Sequence, residues 1–307
     1  MRMARPESSS GVGNGHPALR RVNAVPGSGP TVPRRLLGAQ LRRLREERGI
    51  TLEDAGDVIR ASGSKMSRLE TGRVGFKDRD IADLLTFYEV TDEQKRSALQ
   101  ELARSASAHG WWHDYSDVLP AWFEAYIGLE EAATSIRAYE IQFVPGLLQT
   151  EDYARAVTLL GHDGAPAAEI DQRVELRMAR QALLTGPQPT HLWAVLDEAV
   201  LRRPAGRPGV MRRQLQHILQ VAERPNVTIQ VIPFAAGAHA AAGGPFSILR
   251  FSERDLPDVV YLEQLTSALY LDKRETVDHY LAVMENLCVE ALPASDSMQM
   301  ISAMLRD

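Results

Sequence analysis

Cysteine is almost absent. Cys288 is the one thiol among 307 residues, which excludes an intramolecular disulfide and fits a reducing cytoplasm. It stands in an apolar helical run with Leu281, Met284 and Leu287, where a buried, inert thiol is expected rather than a nucleophile. No apolar run approaches the roughly 18 residues that a membrane-spanning helix needs, so no membrane association is expected. The signatures of common catalysts are missing too: no Gly-x-Ser-x-Gly elbow, no phosphate-binding loop, no dinucleotide fingerprint. His109 and His113 have helix-compatible spacing, but they flank Gly110 and two tryptophans with no third ligand, so no metal site is expected. Neither an enzyme nor a cofactor is expected. Positive charge is in deficit, with 35 Lys and Arg against 40 Asp and Glu, which taken alone argues against a nucleic-acid partner.

The distribution of charge along the chain points the other way. Residues 34–79 carry 12 Lys and Arg against 7 Asp and Glu, a net of +5. Residues 1–33 add +3, so the remainder, 80–307, holds −13 of the overall −5. A basic N-terminal third on an acidic remainder suits a chain that touches phosphate at one end only. At 34.0 kDa and 44% hydrophobic residues the chain is too long for one small module and rich enough for two cores. Three regions are expected: a disordered tail over 1–32, rich in Gly, Pro, Ser and Asn and without the apolar segment of a signal peptide; an all-helical domain over 33–110; and a larger α+β domain over 111–307 with a mixed or antiparallel sheet.

Within the helical part, Leu37, Leu41 and Leu44 predict a first helix from about Arg34 to Arg48, opened by Pro33 and stopped by Gly49. Residues 50–72 then read as two short helices around a tight turn. Thr51 can cap the first, whose inward residues are Ala55, Val58 and Ile59. Ser62 or Ser64 can cap the second, which buries Met66 and Leu69 and exposes Ser64, Lys65, Ser67 and Arg68; Gly72 suits a left-handed C-terminal position. This is the layout of a helix-turn-helix DNA reader. An arginine near the front of such a helix can bind guanine bidentately, while Lys and Ser suit phosphate or less specific base contacts. A plain helical hairpin with a solvated basic face is the alternative, and the charge distribution favours the reader. Ile81, Leu84, Leu85 and Tyr88 predict a closing helix, and Thr91-Asp-Glu-Gln94 reads as a capping box for another, reaching about Ala108.

Arg45, Gly49-Ile50-Thr51 and the block Ser64-Lys-Met-Ser-Arg-Leu-Glu-Thr-Gly72 resemble the Cro/cI-like (XRE) family. The resemblance implies a structural ion pair between Arg45 and Glu70. It departs from the family at Leu52, where a phosphate-touching Gln is usual, at Arg60, where the turn often has Gly, and at Gly63, where a base-contacting polar residue is common. The candidate DNA contacts are therefore Thr51, Ser62, Ser64, Lys65, Ser67, Arg68 and Arg73, with Arg42 and Arg43 on the first helix for phosphate.

Beyond Trp111, helices are predicted over 120–133, 150–160, 166–185, 207–223, 273–291 and 294–305, and strands over 135–143, 191–196, 227–232, 246–251, 258–263 and 268–271. Val144-Pro-Gly-Leu-Leu148 reads as a strand end, a turn and a buried docking segment, with Gln149 or Thr150 capping the next helix. Asp197, Glu198, Arg202 and Arg203 read as a solvated charge cluster that begins a helix. The loop 235–244 reads as a lid or, the favoured reading, an ordinary connection. Tyr139-Glu140, Val144-Pro-Gly-Leu-Leu-Gln-Thr150, Val195–Arg203, Gln230–Phe234, Gly237-Ala-His239 and Val259–Glu263 resemble the WhiJ-like, Scr-type bacterial regulators, in which such a reader is joined to a C-terminal domain of unsettled role. The resemblance implies a transcriptional regulator that binds double-stranded DNA. The alternative is an antitoxin-like interaction protein that binds a small cognate partner and uses DNA binding for autoregulation. A homodimer is expected, because one small reader covers little DNA. Tyr139, Gln149 and His239 are the candidate contacts for a small-molecule effector or the partner protein.

Overall fold

The computed structural model describes residues 32–107, 110–252 and 256–306; the tail expected over 1–32 falls, but for Val32, outside the described residues. Five helices come first: α1 (Val32–Glu47), α2 (Leu52–Val58), α3 (Gly63–Glu70), α4 (Asp78–Phe87) and α5 (Glu93–Ser107). The leucines predicted on one face of α1, Leu37, Leu41 and Leu44, meet Met66, Leu69, Ile81, Leu84, Leu85 and Tyr88 in one buried cluster. Gly38 makes the closest approach, since a Cβ there would collide with the carbonyl oxygen of Glu70 at the end of α3. Gly72 takes the left-handed conformation after α3, with φ +68°. The turn between α2 and α3 takes it as well, but on Arg60 (φ +54°), a strained position for a residue with a Cβ that costs about 1–2 kcal/mol against glycine. One capping expectation is corrected. Asp92, not Thr91, caps α5, its Oδ1 accepting from the backbone N–H of Gln94 and Lys95.

The larger part runs α6 (Ala121–Ala132), β1 (Ser135–Glu140), α7 (Glu151–Gly161), α8 (Ala167–Ala179), β2 (His191–Asp197), α9 (Glu198–Arg202), α10 (Val210–Val221), β3 (Val227–Ile232), β4 (Phe246–Arg250), β5 (Val259–Glu263), β6 (Ala268–Leu271), α11 (Arg274–Glu290) and α12 (Ala294–Met304). The sheet is mixed and six-stranded, in the order β3-β2-β1-β4-β5-β6. β1, β2 and β3 are parallel, while β4, β5 and β6 run antiparallel to their neighbours. Alternation along each strand builds two cores. Ile136, Leu192, Leu196, Ile229 and Val231 face α6, α7, α10 and α12; Tyr139, Val195, Phe246, Ile248 and Val260 face α11. Both sheet faces are covered, so β2 and β3 read as near-continuous apolar runs rather than clean alternation.

Two expectations for side chains change here. Glu198 is buried rather than solvated; its carboxylate accepts from the Phe234 backbone N–H at 2.8 Å and from Arg202 Nε at 2.9 Å, because α9 folds back over the end of β3. Cys288 is half-buried, and burial pushes its thiol above the ordinary value.

The helical and sheet regions touch. Leu36 of α1 packs against the larger core, α6 lies on α1, and Arg35 Nη2 donates to Asp272 between β6 and α11 at 2.6 Å.

Candidate nucleic-acid interface

The second helix of the helix-turn-helix is organised by its first residues. Ser62 caps α3, its Oγ accepting the Lys65 backbone N–H at 3.3 Å, and Ser64 is thereby left inside the helix. Met66, Leu69 and Glu70 are buried. At about 100° per residue the opposite arc holds Ser64 and Arg68 at its centre, both exposed, with Lys65 and Ser67 on its shoulders, both half-buried. The expectation that all four stand free is thus met by two. The other two adjoin Met66 along the chain, so their inner atoms rest on the helix flank while the Lys65 ammonium can still reach outward.

What holds α3 at its angle is a buried ion pair. Arg45 of α1 donates Nε to Glu70 Oε1 at 2.6 Å and Nη2 to Oε2 at 2.9 Å, and its Nη1 donates to the Ile50 carbonyl at 2.8 Å. One planar guanidinium therefore ties the end of α3, the body of α1 and the chain entering α2 together. The Glu70 carboxylate in turn raises the Arg45 pKa.

The remaining candidates differ in what occupies them. Thr51 caps α2 in a full capping box: its Oγ1 accepts from the Asp54 N–H at 3.1 Å and donates to the Asp54 carboxylate at 2.7 Å. Arg42 and Arg43 are exposed, and each pairs within α1, to Glu46 at 2.7 Å and to Glu47 at 3.7 Å. Arg73 lies beyond the carboxyl end of α3, half-buried, where its charge acts on Arg35. Thr51, Ser62, Ser64, Lys65, Ser67 and Arg68 are thus gathered on or beside α2 and α3, whereas Arg42, Arg43 and Arg73 are not part of that arc.

Glu53 was not legible as part of this surface. Its carboxylate sits against Gly63, the first residue of α3, where a Cβ would lie 2.5 Å from Oε1. An anion thereby occupies the positive end of α3, the place a DNA phosphate would otherwise approach. The only sequence hint was a glycine at a position where a side chain is usual. Glu53→Gln is expected to raise affinity for duplex DNA about threefold at low salt, with the gain shrinking as salt is added. Anisotropy titrations of the two proteins on one duplex at two ionic strengths check this.

Two family models match the chain. One, described as a helix-turn-helix domain, covers residues 36–99, which begin inside α1, take in α2 to α4 and enter α5. The other, described as a domain of unknown function (DUF5753), covers residues 123–303, more than half of the chain. The chain belongs to the DUF5753 family. No curated protein and no solved structure matches it.

The DUF5753 part brings two of the three predicted effector or partner residues together. Tyr139 on β1 is fully buried on the α11 face, and its hydroxyl lies 2.8 Å from Nε2 of His239 in the loop before β4. The His239 Nδ1 accepts from the Ala241 N–H at 3.3 Å, so the loop read as an ordinary connection is pinned to the sheet through the ring. Burial pushes the Tyr139 hydroxyl well above its ordinary range. Gln149 is elsewhere, in the helical layer on the other face. Its Nε2 donates to the Val144 carbonyl at 2.6 Å and its Oε1 accepts from Arg177 Nη1 at 3.0 Å, while Thr150 caps α7.

At the carboxyl end of β1, the Glu140 side chain makes no hydrogen bond or ion pair among the described residues. Burial first, and then the charge of Glu263 at the end of β5, push its carboxyl from 4.5 up to about 8. A carboxyl that holds its proton more tightly when folded favours the folded state at low pH. That stability is full below the ordinary value of 4.5 and is lost as pH rises through about 8. Glu140→Gln should therefore flatten the loss between pH 5 and pH 9 by about 1–2 kcal/mol, a figure reduced for the solvent this half-buried group retains. Urea melts of both proteins at the two pH values measure it.

Proposed function

We propose that this DUF5753 chain is a sequence-specific DNA-binding transcriptional regulator, working in the cytoplasm as a homodimer and controlled through its sheet domain. The observation that carries the reading is the outward arc of α3, where Ser64, Lys65, Ser67 and Arg68 oppose the buried Met66, Leu69 and Glu70 on a helix clamped by Arg45. Arg68, which stands exposed in the last turn of α3 and not near its front as the sequence pattern implied, is assigned to a base edge through its long side chain; Lys65 and the serines serve phosphates or flanking bases. The capping residues Thr51 and Ser62 contribute through their helix ends, and Arg42, Arg43 and Arg73 contribute long-range attraction. The division at residue 110 and the kinship with WhiJ-like, Scr-type regulators belong to the same proposal.

Control through the sheet domain is supported by the contacts of α1 with it. Arg35 and Leu36 lie on the same helix as Arg45, so a shift at Asp272 or α6 would reach the element that carries the clamp on α3. Hydroxyl-radical footprinting of a bound operator tests the dimeric reader: two protected half-sites about 34–36 Å apart are expected. A single protected patch, or uniform protection, would contradict it.

A further inference from the structure

A cavity of about 860 Å³ lies away from α3. Its walls come from four places: Trp111, in the 3-10 turn that follows α5; Ile127, Glu131 and Ala132 in the second half of α6; Leu183 and Gln188 in the run between α8 and β2; and Ser252 after β4. The volume falls within the range of about 300–1,000 Å³ of sites that enclose small organic ligands. Ile127, Leu183 and Ala132 offer an apolar floor, and Trp111, 36% exposed, stands edge-on to Trp112 and Tyr115.

The charges on the walls do not cancel. Arg180 donates Nε and Nη2 to the two oxygens of Glu130, both at 2.7 Å, so this buried pair is mutually satisfied. His191 is at the rim. Glu131 remains, exposed on the cavity wall and with no cation paired to it among the described residues. The neighbouring wall partly desolvates this exposed carboxyl and pushes its pKa up, and a partner charge would offset that. Counting histidine as neutral, the described residues lining the cavity carry one net negative charge beside an exposed indole.

We infer that this cavity binds a small organic cation, an amine on an apolar or aromatic body, with Glu131 as counter-ion and the Trp111 indole as the surface it packs against. An ammonium gains from both groups at once, by Coulomb attraction and by the negative face of the ring. The site also deepens the regulator reading, on which its consequence for DNA rests. Trp111 follows α5 along the chain, and α6, which forms another wall, packs on α1. Occupation therefore draws together two segments that both lead to the reader.

Phenethylamine, 2-phenylethanol and phenylacetate share a ring and differ in charge. Titrated calorimetrically into the full-length protein without DNA, phenethylamine is expected to bind, 2-phenylethanol about tenfold more weakly, and phenylacetate not at all. Glu131→Gln is expected to remove the preference for the amine, and Trp111→Ala to weaken the amine and the alcohol together; thermal melts establish that both variants fold. Equal binding of all three compounds, no binding of any, or an amine preference that survives Glu131→Gln would overturn the site. DNA affinity is read separately by anisotropy with and without phenethylamine. If the amine binds but DNA does not, the regulator reading fails and the site stands; if DNA binds and the amine does not, the site fails alone.

Discussion

Replacing Arg68 by Ala is expected to weaken binding to a cognate operator by about 1–3 kcal/mol, roughly fivefold to 150-fold, while changing affinity for random duplex much less. The asymmetry follows from where the residue sits. Arg68 is exposed at the centre of the arc opposite Met66 and Leu69, and no ion pair within α3 engages it. A guanidinium there is free to take both acceptors of a guanine edge, a contact that alanine cannot replace. Lys65→Ala is expected to behave differently. Its half-buried stem and flexible ammonium suit phosphate, so the loss should be similar on specific and random DNA and the salt slope should fall by about one. Parallel anisotropy titrations of both variants on both duplexes separate the roles. An Arg68→Ala variant that loses equally on both duplexes assigns that residue to phosphate instead.

The largest effect on stability is expected at Glu70. Glu70→Ala leaves the buried Arg45 guanidinium with only the exposed Glu46, 3.6 Å away, as counter-charge, and breaking a buried pair from one side costs about 3–5 kcal/mol. The damage should be local to the helical region, because Arg45 also holds the Ile50 carbonyl and so the entry to α2. Replacing both partners at once, Arg45→Met with Glu70→Leu, removes the stranded charge and should recover most of the loss. Urea denaturation followed by far-ultraviolet circular dichroism measures both variants. The helical region's share of the transition should shift in Glu70→Ala and return in the double variant. A Glu70→Ala protein as stable as the parent would mean that packing alone holds α3.

Local features of this fold were legible from residues; long-range ones were not. The leucines of α1, the cap at Thr51, the caps narrowed to Ser62 or Ser64 and to Gln149 or Thr150, and the breaks at Gly49 and Gly72 act over three or four residues, within reach of a spacing argument. The strands over 191–196, 227–232 and 268–271 could be recognised from β-branched and apolar runs, yet their parallel order could not, because pairing joins segments separated by whole helices. The same limit hid the polar partners. Arg180 and Glu130 lie 50 residues apart, Tyr139 and His239 lie 100 apart, and Glu198 reads as surface charge until α9 is seen over β3. Within the candidate interface, the arc of α3 was readable because it is one helix. Glu53 was not, since its role depends on how α2 meets α3.

The most direct test of a sequence-specific reader is a fluorescence-anisotropy titration of the full-length protein against its own upstream DNA and a scrambled duplex, across a salt series. Tight binding to the upstream duplex, weaker binding to the scrambled one, and an affinity that falls steeply with salt for both are expected. Equal, weak affinity for the two duplexes at every salt concentration would contradict the account.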